Sequence, residues 1–190
     1  MEAKEKWNSK YRNRLMNETP TEANKRLQLM SDYLKGGTAI DIASGLGGNS
    51  IFLAENGYKV TAIDISEVAI NFVKEQAAGR KLNIKAKTAD LTSERSDFFS
   101  QEYDLSILTY YLDRSLFQVM KEVVKEGGYL FFETYYQNAA TESQHVSNRY
   151  KLFSNELLKE FSKWRVLYFE ENEQEGRQTI FCQKPSFISP

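Results

Sequence analysis

The run Ala39-Ile40-Asp41-Ile42-Ala43-Ser44-Gly45-Leu46-Gly47-Gly48-Asn49-Ser50-Ile51-Phe52-Leu53-Ala54 limits the possible folds more than any other part of the chain, because it passes from an apolar strand through a glycine-rich turn into a helix. Gly45, Gly47 and Gly48 allow positive φ and a close approach of backbone to ligand. The helix that follows aims its free N–H groups and the positive end of its dipole at the turn, which suits an electron-rich group. Asp41 sets a limit on that group: a carboxylate at the strand's carboxyl end, four residues before Gly45, would repel a pyrophosphate and favours a ligand carrying a cation. Lys59-Val60-Thr61-Ala62-Ile63-Asp64 closes a second strand on a carboxylate, about 20 residues after the glycines begin, the spacing at which such a group takes ribose hydroxyls. Together these motifs predict a nucleoside-bearing ligand.

The 190 residues, 41% of them apolar, suffice for one domain over 1–190 with a core that needs neither disulfide nor metal. Cys182 is the lone cysteine, the segment from Met1 to Lys10 is mostly polar, and no apolar run approaches the roughly 18 to 20 residues that span a bilayer. A soluble, reducing, cytoplasmic setting without membrane contact is therefore expected. The net charge of -1, from 25 basic and 26 acidic residues, lacks the basic field that nucleic acid requires, so a small molecule is the expected partner and the chain itself a monomer or homodimer. One cysteine and one histidine cannot build the usual metal sites, and none is expected.

Periodicity places the remaining elements. Thr19-Pro20-Thr21-Glu22 has the form of a helix start, with Thr19 as cap, Pro20 in the first position and Glu22 completing a capping box, for a helix running to about Leu34. Its stripe is Leu27, Met30 and Leu34, and Gly36-Gly37 stops it. Ser66 caps a helix with Val68, Phe72 and Val73 inward and Gly79 at its end, and Leu82 to Thr88 forms a third strand that leads into Ala89-Asp90-Leu91. Tyr103 to Tyr111 is the fourth strand, Leu116, Met120, Val123 and Val124 mark a helix, and a fifth strand ends at Glu133-Thr134-Tyr135-Tyr136. The stretch 137–153 has little periodicity and reads as a substrate loop, Ser154 caps a short helix, and Trp164 to Glu171 with Gln178 to Lys184 forms an antiparallel hairpin.

The pattern apolar-Asp41-x-Ala43-x-Gly45-x-Gly47, followed by Asp64-Ile65-Ser66, resembles the class I S-adenosylmethionine (SAM) dependent methyltransferases, with Ala43 standing where that family has its first glycine. Tyr111-Leu112-Asp113-Arg114-Ser115-Leu116-Phe117, the Gly127 to Tyr135 segment and the N-terminal aromatics extend the resemblance to a small-molecule, tellurite-resistance-type branch. It implies an α/β, Rossmann-like, seven-stranded and mostly parallel sheet, with helices on both faces and a C-terminal antiparallel hairpin. SAM is the implied cofactor and methyl transfer to a small-molecule acceptor the implied activity. The implied cofactor contacts are Asp41 for the methionine ammonium, Ala43, Gly45, Gly47 and Asn49 around the turn, and Asp64 for the ribose. Ile65 and Leu91 would sandwich the adenine, Asp90 would read its amino group, and Thr109 would offer a carbonyl near the ammonium.

Catalytic candidates are fewer, because a sulfonium-bound methyl is already activated and in-line placement supplies much of the barrier lowering. Tyr110 and Tyr111 serve as aromatic walls or as packing, Arg114 as an anion holder or a helix cap, and His145 as a general base or an exposed loop residue. Trp7 and Tyr11 share a helical face in 1–18, a lid over the ligand or a helix packed on the core. Two other functions share these motifs: a non-catalytic SAM-binding protein, and a nicotinamide oxidoreductase reading Gly45-Leu46-Gly47-Gly48-Asn49-Ser50 as its glycine fingerprint. Asp41 and the terminal hairpin argue against the second.

Overall fold

A computed structural model describes residues 3–18, 21–91, 97–138 and 146–186. The chain divides into two compact units, 1–101 and 102–190. Its seven strands, β1 (Gly37–Ile42), β2 (Tyr58–Asp64), β3 (Ile84–Thr88), β4 (Tyr103–Thr109), β5 (Val124–Tyr135), β6 (Arg165–Asn172) and β7 (Arg177–Gln183), form one sheet in the order β3-β2-β1-β4-β5-β7-β6, mostly parallel and closed by the expected antiparallel hairpin.

In the first unit, strands β1, β2 and β3 pair in parallel, Asp41 opposite Ala62 and Asp64 opposite Thr88. β1 and β2 are buried over most of their length because parallel strands are covered on both faces. The connecting helices are α3 (Gly48–Glu55) and α4 (Glu67–Arg80), and Ile70 and Val73 of α4 pack with Ala62 and Ala86 in the core. Ser66 caps α4 as its sequence predicts, its Oγ accepting from Ala69 N at 3.2 Å. Gly79 does not end the helix, which runs one residue further, and Lys81 takes the left-handed turn at φ 55.

The expected helix from Thr19 to Leu34 is shorter. Thr19 and Pro20 lie outside the described residues, 21–24 is not helical, and α2 spans Lys25–Leu29 before a 3-10 turn over Ser31–Tyr33. Asn24 is its cap, its Oδ1 accepting from Arg26 N at 2.9 Å and Leu27 N at 3.2 Å. The cause is tertiary: a Cβ on Gly48 would lie 2.3 Å from the Glu22 carbonyl oxygen, so the 22–23 backbone runs directly over α3 and cannot coil there. Leu27, Met30 and Leu34 are buried as their spacing predicts. The opening helix α1 (Ala3–Met16) rests on this unit with Asn8 and Tyr11 buried, and Tyr11 packs with Leu46 and Ala69, flanked by Trp7 and Phe72.

The second unit holds β4, α5 (Leu116–Val123), β5, α6 (Glu156–Glu160), β6 and β7. β4 stops at Thr109, two residues short of the expected Tyr111, because Tyr110 turns to φ 56. β5 follows α5 without a loop. Its register against β4 shifts from Tyr103↔Val124 to Leu105↔Tyr129, and the extra residues include Gly127 at φ 72. Ser154 does not cap α6. It donates to Glu171 Oε2 at 3.0 Å, while buried Gln178 accepts from Leu157 N at 2.7 Å. In 137–153, residues 139–145 lie outside the described residues. The remainder forms a Tyr136↔Leu152 bridge and a 3-10 turn over Asn148–Tyr150.

Candidate functional site

The carboxyl ends of β1, β2 and β3 share one edge because the strands are parallel neighbours, and Asp41, Asp64 and Asp90 are found there. Asp64 is nearly buried and ties two turns together: its Oδ2 accepts from Gly45 N and its Oδ1 from Ser66 N, each at 2.8 Å. Burial raises its pKa against the pull of these N–H groups. Asp41, more deeply covered, accepts from Ser50 Oγ at 2.6 Å. Burial pushes its pKa up to about 7, with the charge of Asp64 adding to the rise and the Ser50 hydroxyl opposing it.

The turn between β1 and α3 is left-handed at Ala43 (φ 55), Gly45 (φ 54) and Gly47 (φ 75). An L-residue pays roughly 1 to 2 kcal/mol in that region, so the alanine at 43 is held there by its surroundings. One such tie is Ser44 N, which donates to Ile63 O at 2.9 Å. The glycines of the turn are pressed by protein. A Cβ on Gly45 would lie 2.8 Å from the Tyr11 hydroxyl, and one on Gly47 would lie 2.6 Å from Val73 Cγ2. Ser44 Oγ is buried without a hydrogen-bond partner among the described residues. Asn49 turns its Oδ1 to Asn24 N at 2.8 Å, bracing the 21–24 segment.

Ile65 and Asp90 line an open cleft of about 650 Å³ with Ala3, Lys4, Glu67, Thr88 and Ala89. Leu91 follows Asp90 and is half-buried. Sequence spacing thus brought Asp41, Ala43, Gly45, Gly47, Asp64, Ile65, Asp90 and Leu91 to one edge of the first unit. It missed Asn8, and it named Tyr11 only for a lid or for packing and Ser66 only as a helix cap.

In the second unit Thr109 closes β4, and Tyr110 is part of a network that sequence reading did not find. Tyr110 donates its hydroxyl to Glu133 Oε1 at 2.6 Å and accepts from Arg177 Nη1 at 2.6 Å, while Thr179 Oγ1 donates to Glu133 Oε2 at 2.7 Å. Glu133 is fully buried. Burial, then the Glu133 charge, hold the Tyr110 hydroxyl well above its usual pKa. The Tyr135 ring lies 5.6 Å from that of Tyr110. Tyr111 follows Tyr110 and is half-buried. Arg114 is neither a helix cap nor a waiting anion site: it forms a two-point ion pair with Glu156, at 2.6 and 2.9 Å, and donates to Lys151 O. Asp113 caps the turn before α5 instead, accepting from Ser115 N at 2.9 Å. His145 lies outside the described residues. Among the described residues no helix is long and apolar enough to cross a membrane.

Residues 3–180 match the family model of tellurite resistance protein TehB. A probable S-adenosyl-L-methionine-dependent methyltransferase TehB of Haemophilus influenzae is 28% identical over 151 residues, 74% of this chain and 50% of that protein. Phosphoethanolamine N-methyltransferase 3 of Arabidopsis thaliana is 29% identical over 126 residues, 64% of this chain and 26% of its own. The chain therefore spans half or less of the length of these curated relatives. The crystal structure of TehB from Haemophilus influenzae superimposes with a TM-score of 0.74 at 22% identity, over 85% of this chain and 62% of that one.

Proposed function

Because the chain belongs to the TehB family, of the class I SAM-dependent methyltransferase type, we propose that it is an enzyme that moves a methyl group from SAM to a small-molecule acceptor by in-line displacement. The observation that carries this reading is the single strand edge holding Asp41, Asp64 and Asp90 beside the Gly45 turn, with Ile65 and Asp90 in the wall of one cleft. Bound SAM would supply a methyl already activated on a sulfonium. The residues of the first unit fit such a group. Each Asp64 oxygen carries one backbone N–H, and an ionised carboxylate has about four lone-pair sites, so two hydroxyls of a ribose can still be accepted. Asp41 offers negative charge to the ammonium, Asp90 an acceptor to the adenine amino group, and Ile65 and Leu91 the apolar faces. The turn from Gly45 to Asn49 lines the remainder.

These residues bind and orient; none needs to act as acid or base for the methyl to move, since alignment at about 3 to 3.5 Å is itself worth roughly 7 to 11 kcal/mol. The acceptor class rests on the family's description, tellurite resistance. A metalloid oxyanion or a thiol fits this reading.

Radiolabelled SAM incubated with selenite, tellurite, simple thiols and phosphoethanolamine tests it. Label is expected in one of these acceptors. Binding of SAM without turnover of any acceptor would favour a non-catalytic SAM-binding protein, and stabilisation by NAD but not by SAM would favour the oxidoreductase.

A further inference from the structure

Ala3 and Lys4 stand in the wall of the cleft beside Ile65 and Asp90, so α1 helps to build that cleft. Apolar contact covers one face of α1: of its 14 residues Asn8 and Tyr11 are buried, and Trp7 and Leu15 are partly buried against the cluster of Tyr11, Leu46 and Ala69. The Lys4–Glu67 ion pair at 2.5 Å is half-exposed and contributes little. Polar contacts add a ring that begins and ends on the helix. Asn8 Oδ1 accepts from Ser66 Oγ at 2.7 Å and faces Val68 N at 3.4 Å. Ser66 N donates to Asp64 Oδ1, and Asp64 Oδ2 accepts from Gly45 N, both at 2.8 Å. Over Gly45 lies the hydroxyl of Tyr11, back on α1.

We infer that Asn8 is a positioning residue for the nucleoside site. Resting on the SAM reading above, it acts in two ways: it pins the cleft wall to the start of α4, and it fixes Ser66, whose backbone N–H orients Asp64. The position demands an acceptor. Val68 N belongs to the first turn of α4, where no carbonyl lies one turn back, and Asn8 is 5% exposed, so little water can take its place. Because α1 shares the cleft, ligand occupancy stabilises the docked helix and docking raises affinity by the same factor.

The test uses S-adenosylhomocysteine and needs no acceptor. Trypsin can cut α1 at Lys4, Lys6, Lys10, Arg12 and Arg14 when the helix leaves its seat, so cleavage reports docking. In the wild type, saturating S-adenosylhomocysteine slows cleavage within α1. Asn8→Ala is cut faster without ligand and binds about tenfold more weakly by calorimetry, and Asn8→Leu, which fills a similar space but accepts no hydrogen bond, does the same. Asn8→Ala or Asn8→Leu binding as tightly as the wild type, or cleavage that ignores the ligand, would overturn the role of Asn8 alone. A wild type that does not bind S-adenosylhomocysteine would overturn the SAM reading, and this inference with it.

Discussion

Asp41 is almost completely buried, and that burial pushes its pKa up to about 7. If its charge holds the ammonium of SAM, affinity follows its ionised fraction, rising roughly eightfold between pH 6 and 7.5 and flattening above. Calorimetry across that range checks this, and a flat profile would remove Asp41 from the ligand. In the free protein the sign is reversed. The folded pKa is raised above the unfolded one, so the proton's contribution to stability is complete below about pH 4 and drains away as pH climbs to about 7. At the same scale, Gly48→Ala drives a Cβ into the Glu22 carbonyl, where backbone meets backbone and neither can swing aside. A loss of about 1 to 3 kcal/mol in chemical denaturation is expected. Asp41, Asp64 and the glycines were legible in the sequence because each acts through its own strand end or turn. Glu133 and Arg177 were not, because they meet only where β7 pairs with β5 in the register that sets Glu133 opposite Thr179 and Tyr135 opposite Arg177.

The helices of the second unit are terminated by residues of the distant end of the chain. Gln178 of β7 accepts from the N-terminal Leu157 N–H of α6, and its Nε2 donates to Phe153 O at 3.1 Å. Lys184, just past β7, donates its Nζ to Lys121 O at 2.7 Å and to Val124 O at 2.6 Å, closing the C-terminal carbonyls of α5. Gln178→Ala leaves a buried N–H and a carbonyl without partners, and a loss of about 1 to 3 kcal/mol is expected, with unchanged SAM affinity. Urea melts together with calorimetry separate the two readouts, and an affinity change would show that α6 bears on the ligand. A cap written into local sequence, such as Ser66, is readable three residues from its N–H. A cap such as Gln178 is not, since its choice depends on which element comes to lie against the helix end.

Over the whole chain, a ligand that binds only the folded state stabilises it by mass action, about 2.7 kcal/mol at a hundred times its Kd. For a chain of this size that is roughly 5 to 10 °C in melting temperature, so SAM is expected to raise the midpoint by that amount and NAD to leave it in place. A reversed pair of shifts would return the glycine turn to the dinucleotide reading. The mostly parallel sheet and its antiparallel ending were legible in the sequence, because apolar strand runs alternating with helical stripes favour parallel pairing and a short polar turn between two β-rich runs makes a hairpin, whereas the order of the strands, with β7 between β5 and β6, came from the tertiary structure. The Asp41-to-Gly47 turn and the ribose-spaced Asp64 were equally written in the chain, because backbone conformation and strand length act locally. Only the tertiary structure decided what presses on that turn. Tyr11 over Gly45, Val73 beside Gly47, the 22–23 backbone across Gly48 and Asn8 at Ser66 come from separate segments, and packing alone, with no periodicity to announce it, brings them to one place.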